Sequence, residues 1–350
     1  MRLRHPSGRI VRLSYEITPR PARRLPAVVA QLDTFAAVRT MIGADALGVS
    51  LWLPPALAAA LAVGGRTRTR LRAELDARRL EVVTLSGVSF DEDNGSPSAG
   101  GGGECKAQKS RKGRPAAGEP AEGAENDGDA EDGPDGGETA GKNPGWDEPA
   151  RREYTLDLAR ILVDLLPEEA VRGAIGTTGL ACRDGWDEDA EKASGGLLRR
   201  LSAGLADLAW QNGRAVRVGF QPADGYVLDG PEATVAALSR IDKDRLGVRL
   251  DLDHVTRAWS DPAAGIETIT DAGLSIVEVR LSAAPGPALE PWRAALAQLF
   301  GQDGPQAEFL TIAGHVPDPS AEQIAADITY LRAELADLGL APENEPCAAR

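Results

Sequence analysis

The sequence predicts a single β/α barrel of the TIM-barrel class with a polar centre, and three observations support that prediction. Strand-like and helix-like segments alternate along the 350 residues, which gives a parallel sheet that closes as a barrel at eight strands. Leu246–Val255 alternates apolar and charged residues and ends in an Asp-x-x-His pair. This is the strand end at which such a barrel keeps its ligands. One long acidic stretch interrupts the alternation without adding an element of its own.

Each predicted strand has the apolar periodicity and length of a barrel strand, and an amphipathic segment follows it. The predicted strands are Arg9–Thr18, Ala46–Leu53, Leu80–Phe90, Val171–Cys182, Ala215–Gln221, Leu246–His254, Ser275–Ser282 and Glu308–Val316. The predicted helices are Pro21–Ile42, Pro55–Arg79, Arg151–Leu166, Asp189–Asn212, Pro231–Arg245, Asp261–Ala272, Ala288–Phe300 and Ser320–Leu338. Asp261-Pro262 and Ser320-x-x-Gln323 are helix-start signals.

The period-two alternation of the strands predicts which side chains point into the barrel. Four strands place charged or amide groups on the inner row, and buried charges are costly unless they are paired. We therefore expect the arginines to face the carboxylates across the lumen. The arginines are Arg12, Arg217, Arg249 and Arg280, and the carboxylates are Glu16, Asp251, Asp253 and Glu278.

Composition divides the chain into four parts. Residues 1–90 are predicted to form the first three strands of the barrel, and residues 151–340 the remaining five. Residues 91–150 contain mostly Gly, Ala, Pro and acidic side chains, which bury too little apolar surface to offset the entropy of ordering. They are predicted to be a disordered acidic insertion, and residues 341–350 a disordered tail.

Charge and cysteine content exclude several function classes. A net charge of −14 argues against nucleic-acid binding, because phosphate contacts need a surplus of basic residues. Cys105, Cys182 and Cys347 have no paired spacing, so no disulfide framework or zinc ribbon is expected. The apolar run 56–63 is too short to span a membrane. A cytoplasmic location is the prediction.

Four segments resemble the metabolite traffic protein EboE family, in the same order along the chain. They are Leu13-Ser-Tyr-Glu-Ile-Thr-Pro19, Val82-Val-Thr-Leu-Ser-Gly87, Gly247-Val-Arg-Leu-Asp-Leu-Asp-His254 and Val279-Arg-Leu-Ser-Ala-Ala284. The resemblance implies a xylose-isomerase-like barrel related to sugar phosphate isomerases and epimerases. It also implies a role in a metabolite or prenyl-compound pathway, with partner proteins of that pathway as an open possibility.

The chain departs from this family at several ligand positions. Asp251 and His254 match the family's Asp-x-x-His, but Asp253 replaces a cysteine. Gln221 stands where relatives carry a glutamate ligand, and Arg280 stands where they carry a glutamine or histidine. The first-strand motif lacks its histidine, and only His315 remains of a late pair. The resemblance therefore supports the fold more strongly than it supports the metal site.

Two hypotheses for the function remain open. In the first, the protein is a divalent-metal-dependent sugar or sugar phosphate isomerase or epimerase, with Mn, Co, Zn or Mg as the cofactor. In the second, it is a degenerate barrel that binds a polar metabolite or a partner protein without turnover. In that case Asp251 forms a structural ion pair with Arg280 or Arg217. The candidate residues are Asp251, His254 and Gln221 for metal, Glu16 and Asp253 for proton transfer, and Arg280, Arg217, Trp52 and His315 for substrate.

Overall fold

The structure, a computed structural model, describes residues 1–17, 25–87, 145–282, 289–301, 304–314 and 319–343. His315, residues 91–144 of the predicted insertion and residues 344–350 of the predicted tail lie outside these ranges. Residues 145–150 of the predicted insertion are described, and Trp146 among them is fully buried. Its ring packs edge-on against Phe220 at 5.2 Å between centroids. The barrel therefore resumes a few residues earlier than composition predicts.

Eight parallel strands form a closed barrel. They pair in chain order, and the first pairs with the last through Arg12–Phe309 to Tyr15–Ile312. The strands are β2 (Ile10–Ile17), β3 (Leu47–Trp52), β4 (Leu80–Ser86), β5 (Arg172–Thr178), β6 (Ala215–Gln221), β7 (Leu246–Asp251), β8 (Ile276–Ser282) and β9 (Ala307–Ala313). All eight predicted strands are present, and the TIM-barrel prediction is confirmed.

Helices cover the outside of the barrel. They are α1 (Leu25–Met41), α2 (Pro55–Val63), α3 (Gly65–Arg78), α4 (Pro149–Leu165), α5 (Glu188–Asn212), α6 (Pro231–Leu238), α7 (Leu252–Ala258), α8 (Pro262–Asp271), α9 (Leu289–Phe300) and α10 (Ala321–Asp337). The predicted helix 55–79 divides at Gly64, whose backbone leaves the helical region. No helix among the described residues is both long and apolar enough to cross a bilayer.

Two short strands that periodicity did not predict lie beside the N-terminal half of β2. Strand β1 (Arg2–Arg4) runs antiparallel to β2, and β10 (Ala341–Pro342) runs antiparallel to β1. Glu343 forms ion pairs with Arg2 and Arg4. The first residues of the predicted tail thus pair with the chain's N-terminal strand. Segments this short carry too little pattern to be recognised in the sequence.

The inner face of the barrel is polar, as the alternation predicts. The Arg249 side chain crosses the lumen toward β5 and β6. At Gly176 and Gly219, an added Cβ would lie 2.6 and 3.0 Å from Arg249 side-chain atoms. These two glycines make the space that a buried arginine needs, while Val248 and Leu250 pack outward under the helices in the apolar core.

Candidate functional site

An arginine bound by two carboxylates lies at the C-terminal end of the barrel, the end called the mouth below. Arg280 Nε donates to Glu16 Oε2 at 2.7 Å, and Arg280 Nη1 donates to Asp251 Oδ2 at 2.8 Å. The three side chains come from β8, β2 and β7. The Arg280 side chain is 15% exposed to solvent, whereas the Asp251 side chain is fully buried. We call these three residues the mouth cluster.

The mouth cluster continues inward as a polar network. The Gln221 amide donates to Asp251 Oδ2 at 3.3 Å and accepts from Arg249 Nη1 at 3.0 Å. Arg249 Nε lies 3.1 Å from Glu278 Oε2 in an ion pair whose side chains are 1% exposed. Thr311 donates to the other Glu278 oxygen. Two of the four predicted lumen arginines thus meet carboxylates, and the predicted Asp251–Arg280 ion pair is confirmed.

The surroundings of the carboxylates in and beside this network shift their pKa values in different directions. Burial raises the pKa of Glu16, but the Arg280 and Arg249 guanidiniums more than offset this and lower it. Glu16 therefore stays ionised beside Arg280. Burial raises the pKa of Glu278, and the neighbouring Arg249 offsets this only in part. Burial and the Asp251 charge raise the pKa of Asp253 to about 6, which makes Asp253 a group able to exchange a proton near neutral pH.

Asp253 and His254 lie on a helix. The prediction that the strand continues to His254 is wrong: β7 ends at Asp251, whose side chain accepts from the Asp253 backbone N–H at 3.2 Å and caps α7. An aspartate at this position favours a helix start. His254 consequently belongs to α7 and does not continue the inner row of β7. It is fully buried, with both ring nitrogens unpartnered in the described part of the chain, and its Nδ1 lies 3.9 Å from Asp224.

The remaining predicted substrate residues are not gathered at the mouth cluster. Arg217 donates to the backbone carbonyls of Lys243 and Asp244, which precede β7. Its guanidinium therefore lies toward the opposite end of the barrel. Trp52, half-buried, is the last residue of β3 and lies at the mouth. His315 belongs to the residues that the structure does not describe.

The predicted metal ligands do not fit a metal ion. Asp251 Oδ2 receives both Arg280 and Gln221, and Asp251 Oδ1 caps α7. The Gln221 amide oxygen is already bound by Arg249. A guanidinium on the central carboxylate repels a divalent cation. In the described ranges, no group of three or more His, Cys, Asp or Glu side chains is placed to hold a metal.

Arg151 is a mouth residue that sequence reasoning missed. It lies in the first turn of α4 and is 1% exposed. Its Nη2 donates to Gly87 O at 2.7 Å, Thr177 Oγ1 at 2.8 Å and Thr178 Oγ1 at 3.0 Å. An arginine in the first turn of an amphipathic helix usually indicates a surface position. The only sequence signal was the position of the two threonines at the end of a barrel strand.

Cys182 corrects a second expectation. Its spacing predicted no disulfide, but Cys182 is disulfide-bonded. It follows β5 at the mouth, where it pairs with Tyr226 in an isolated antiparallel bridge. The other two cysteines of the chain, Cys105 and Cys347, lie outside the described residues.

Comparison with known proteins identifies the architecture. D-allulose 3-epimerase from Methylomonas sp. is 11% identical with a TM-score of 0.54, covering 93% of this chain and 98% of its own. D-psicose 3-epimerase with D-tagatose, from Clostridium cellulolyticum H10, is 14% identical with a TM-score of 0.52, covering 94% and 98%. The IOLI protein with a binding zinc atom is 11% identical with a TM-score of 0.51, covering 94% and 99%.

The chain has the β/α-barrel fold of these proteins. At such low identity the likeness shows that fold and nothing finer. No protein-family model matches the sequence, and no curated protein matches it either.

Proposed function

We propose that the protein binds a small polar sugar-like metabolite at the barrel mouth without a metal ion. The observation that carries this proposal is Arg280, which spans Glu16 and Asp251 at 2.7 and 2.8 Å. Carboxylates engaged by a guanidinium are poor metal ligands but remain acceptors for sugar hydroxyls. Two epimerases of the same fold have been crystallised with D-allulose and with D-tagatose, which supports a sugar as the ligand class.

The mouth cluster has the chemistry for this task. Glu16 and Asp251 hold the Arg280 guanidinium in one orientation, so its outer edge meets a ligand without further ordering. Charge-assisted hydrogen bonds from Arg280 to hydroxyl or carbonyl oxygens are among the stronger polar contacts. Asp253, with its pKa raised to about 6, is the group that we propose to exchange a proton with a bound ligand.

Calorimetric titration with D-allulose and D-tagatose tests this proposal. The full chain, treated with a chelator, is expected to bind at least one of the two sugars. Arg280→Met should weaken binding by about tenfold to a hundredfold, since a hydrogen bond to a charged group contributes roughly 1.5–3 kcal/mol. The matched control is Arg293→Met, which removes a half-exposed arginine paired with Glu334. Sugar binding that appears only after metal loading would contradict the proposal.

A divalent-metal-dependent isomerase or epimerase is the second candidate. The buried His254, whose ring nitrogens have no described partner, favours it, as does the zinc atom in one structure of the same fold. It requires Arg280 to leave Asp251. Elemental analysis of wild type and Asp251→Ala decides: about one Mn, Co, Zn or Mg per chain, lost in the variant, would revive this candidate.

The cellular setting is also a proposal. Resemblance to the EboE family supports a metabolite or prenyl-compound pathway with partner proteins, and the unpaired spacing of the three cysteines supports a cytoplasmic location. The Cys182 disulfide provides a test of the location, because cytosolic proteins rarely keep structural disulfides. Alkylation and mass mapping of protein trapped in cells measure the redox state of Cys182, and a reduced Cys182 would support the cytoplasm. An oxidised Cys182 would argue for an oxidising compartment.

A further inference from the structure

Arg151 differs from the other buried arginines of the mouth because no carboxylate of the described residues meets it. Its three acceptors are a backbone carbonyl and two hydroxyls, all neutral. Its Nε is buried and has no hydrogen-bond partner in the described part of the chain. The side chain also lies over the Tyr154 ring, 5.9 Å from its centroid. A full positive charge is therefore buried among neutral groups.

The electrostatic surroundings reinforce this picture. Burial lowers the pKa of Arg151, opposed only by Tyr154 and Tyr226. A guanidinium nevertheless stays charged at neutral pH. Arg151 also lies in the first turn of the 17-residue helix α4, where the helix dipole is positive and disfavours a cation. Two positive features thus coincide at one buried point, and such a point attracts an anion.

The position of Arg151 is that of a ligand-binding residue. Its acceptors Gly87, Thr177 and Thr178 stand at the C-terminal ends of β4 and β5, the end at which β/α barrels bind their ligands. The mouth cluster belongs to β2, β7 and β8, so the barrel order places Arg151 across the same opening. A ligand that reaches both has an anionic group at one end and hydroxyls at the other.

We propose that Arg151 is the binding residue for the anionic group, a phosphate or carboxylate, of the sugar-like ligand. The inference rests on the proposed function, and it names the ligand class as a phosphorylated or acidic sugar. The anion's oxygen supplies the acceptor that Arg151 Nε lacks, and its charge compensates the buried guanidinium. The hydroxyls of Thr177 and Thr178 hold the fork of the guanidinium in place, and their protons are free to turn toward the anion.

Titration of the full chain with inorganic phosphate, at ionic strength held constant with chloride, tests the inference. Wild type is expected to bind phosphate, and phosphate should raise the unfolding temperature of wild type more than that of Arg151→Met, because phosphate also stabilises folded proteins without site binding. Arg151→Met should weaken phosphate binding about tenfold. Arg152→Met, which removes the neighbouring arginine paired with Glu153 on the surface, should change it by less than about twofold.

A neutral and a phosphorylated ketohexose separate this inference from the proposed function. Fructose 6-phosphate should bind wild type more tightly than D-allulose does, and Arg151→Met should remove that difference by weakening fructose 6-phosphate binding more than D-allulose binding. Binding of D-allulose with no response to phosphate would overturn the inference and leave the proposed function standing. Phosphate binding unchanged in Arg151→Met would place the anion elsewhere. Failure to bind any of the three ligands would overturn both. If Arg151→Met does not fold, Arg151→Gln, which removes the charge but keeps a side-chain N–H donor, takes its place in both titrations.

Discussion

Buried arginines on the two sides of the barrel mouth have different hydrogen-bond acceptors. On the side of β7 and β8, Arg249 and Arg280 each meet a carboxylate within 3.1 Å. On the side of β4 and β5, the acceptors that Arg151 meets among the described residues are all neutral oxygens. In the first arrangement the charges are balanced without a ligand, and the ion pairs contribute to the fold. The second leaves a charge uncompensated, which a stable protein keeps where a ligand supplies the missing anion.

Breaking the fully buried pair should have the largest effect. Arg249→Met leaves the Glu278 carboxylate buried without its cation, and removing one partner of such a pair costs about 3 kcal/mol of unfolding free energy. Urea unfolding at neutral pH measures this loss. The double variant Arg249→Met with Glu278→Leu is the control, and it should recover most of the stability. A single variant as stable as wild type would show that Glu278 simply protonates when Arg249 is absent.

A substitution in the mouth cluster should lower the free energy of unfolding less than Arg249→Met does, and the size of the loss should depend on pH. Arg280→Met leaves Glu16 and Asp251 facing each other near the opening, with an expected loss of about 2 kcal/mol at neutral pH. The pKa of Glu16 is lowered in the folded protein, so its contribution to stability is present above its unfolded pKa. That contribution disappears as the pH falls through the folded pKa. Unfolding titrations of both proteins should therefore converge in acid.

Arg151 provides the direct contrast. Arg151→Met removes three hydrogen bonds but also removes an uncompensated buried charge, and these effects oppose each other. Without phosphate, we expect a change below about 1.5 kcal/mol, clearly smaller than for Arg249→Met. Parallel urea unfolding of the two variants tests this difference. A loss as large as that of Arg249→Met would mean that Arg151 is a structural residue, and the asymmetry of the mouth would lose its functional meaning.

The sequence predicted the barrel well because its strands carry their own pattern. Alternation alone located β7 and assigned Arg249 and Asp251 to the lumen. It failed where a side chain changes the backbone: Asp251 caps α7, so Asp253 and His254 leave the strand row. Asp251, which the sequence predicts as a metal ligand, is also of the residue type that favours an N-cap.

The site could be predicted only in part, because three-dimensional packing decides which charges meet. Arg280 and Arg217 look equivalent in the alternation, yet one lies at the mouth and the other binds carbonyls toward the opposite end. Arg151 has the sequence context of a surface residue. Its burial follows from how α4 packs against the ends of β4 and β5, which no local pattern contains.

Substitution of Asp253 should have the smallest effect on stability, and it tests the charge balance of the mouth. Its pKa is raised from 3.8 to about 6 in the folded protein, by burial and then by Asp251. A raised folded pKa gives stability that is fully present below the unfolded pKa and is lost as the pH rises through about 6. The free energy of unfolding of Asp253→Asn should therefore equal that of wild type at about pH 4 and exceed it by about 1 kcal/mol at about pH 8. Asp224→Asn, an exposed carboxylate beside His254, is the control. Equal stability of Asp253→Asn and wild type at both pH values would show that Asp253 is solvated like a surface acid, and the proposed proton exchange at the mouth would lose its residue.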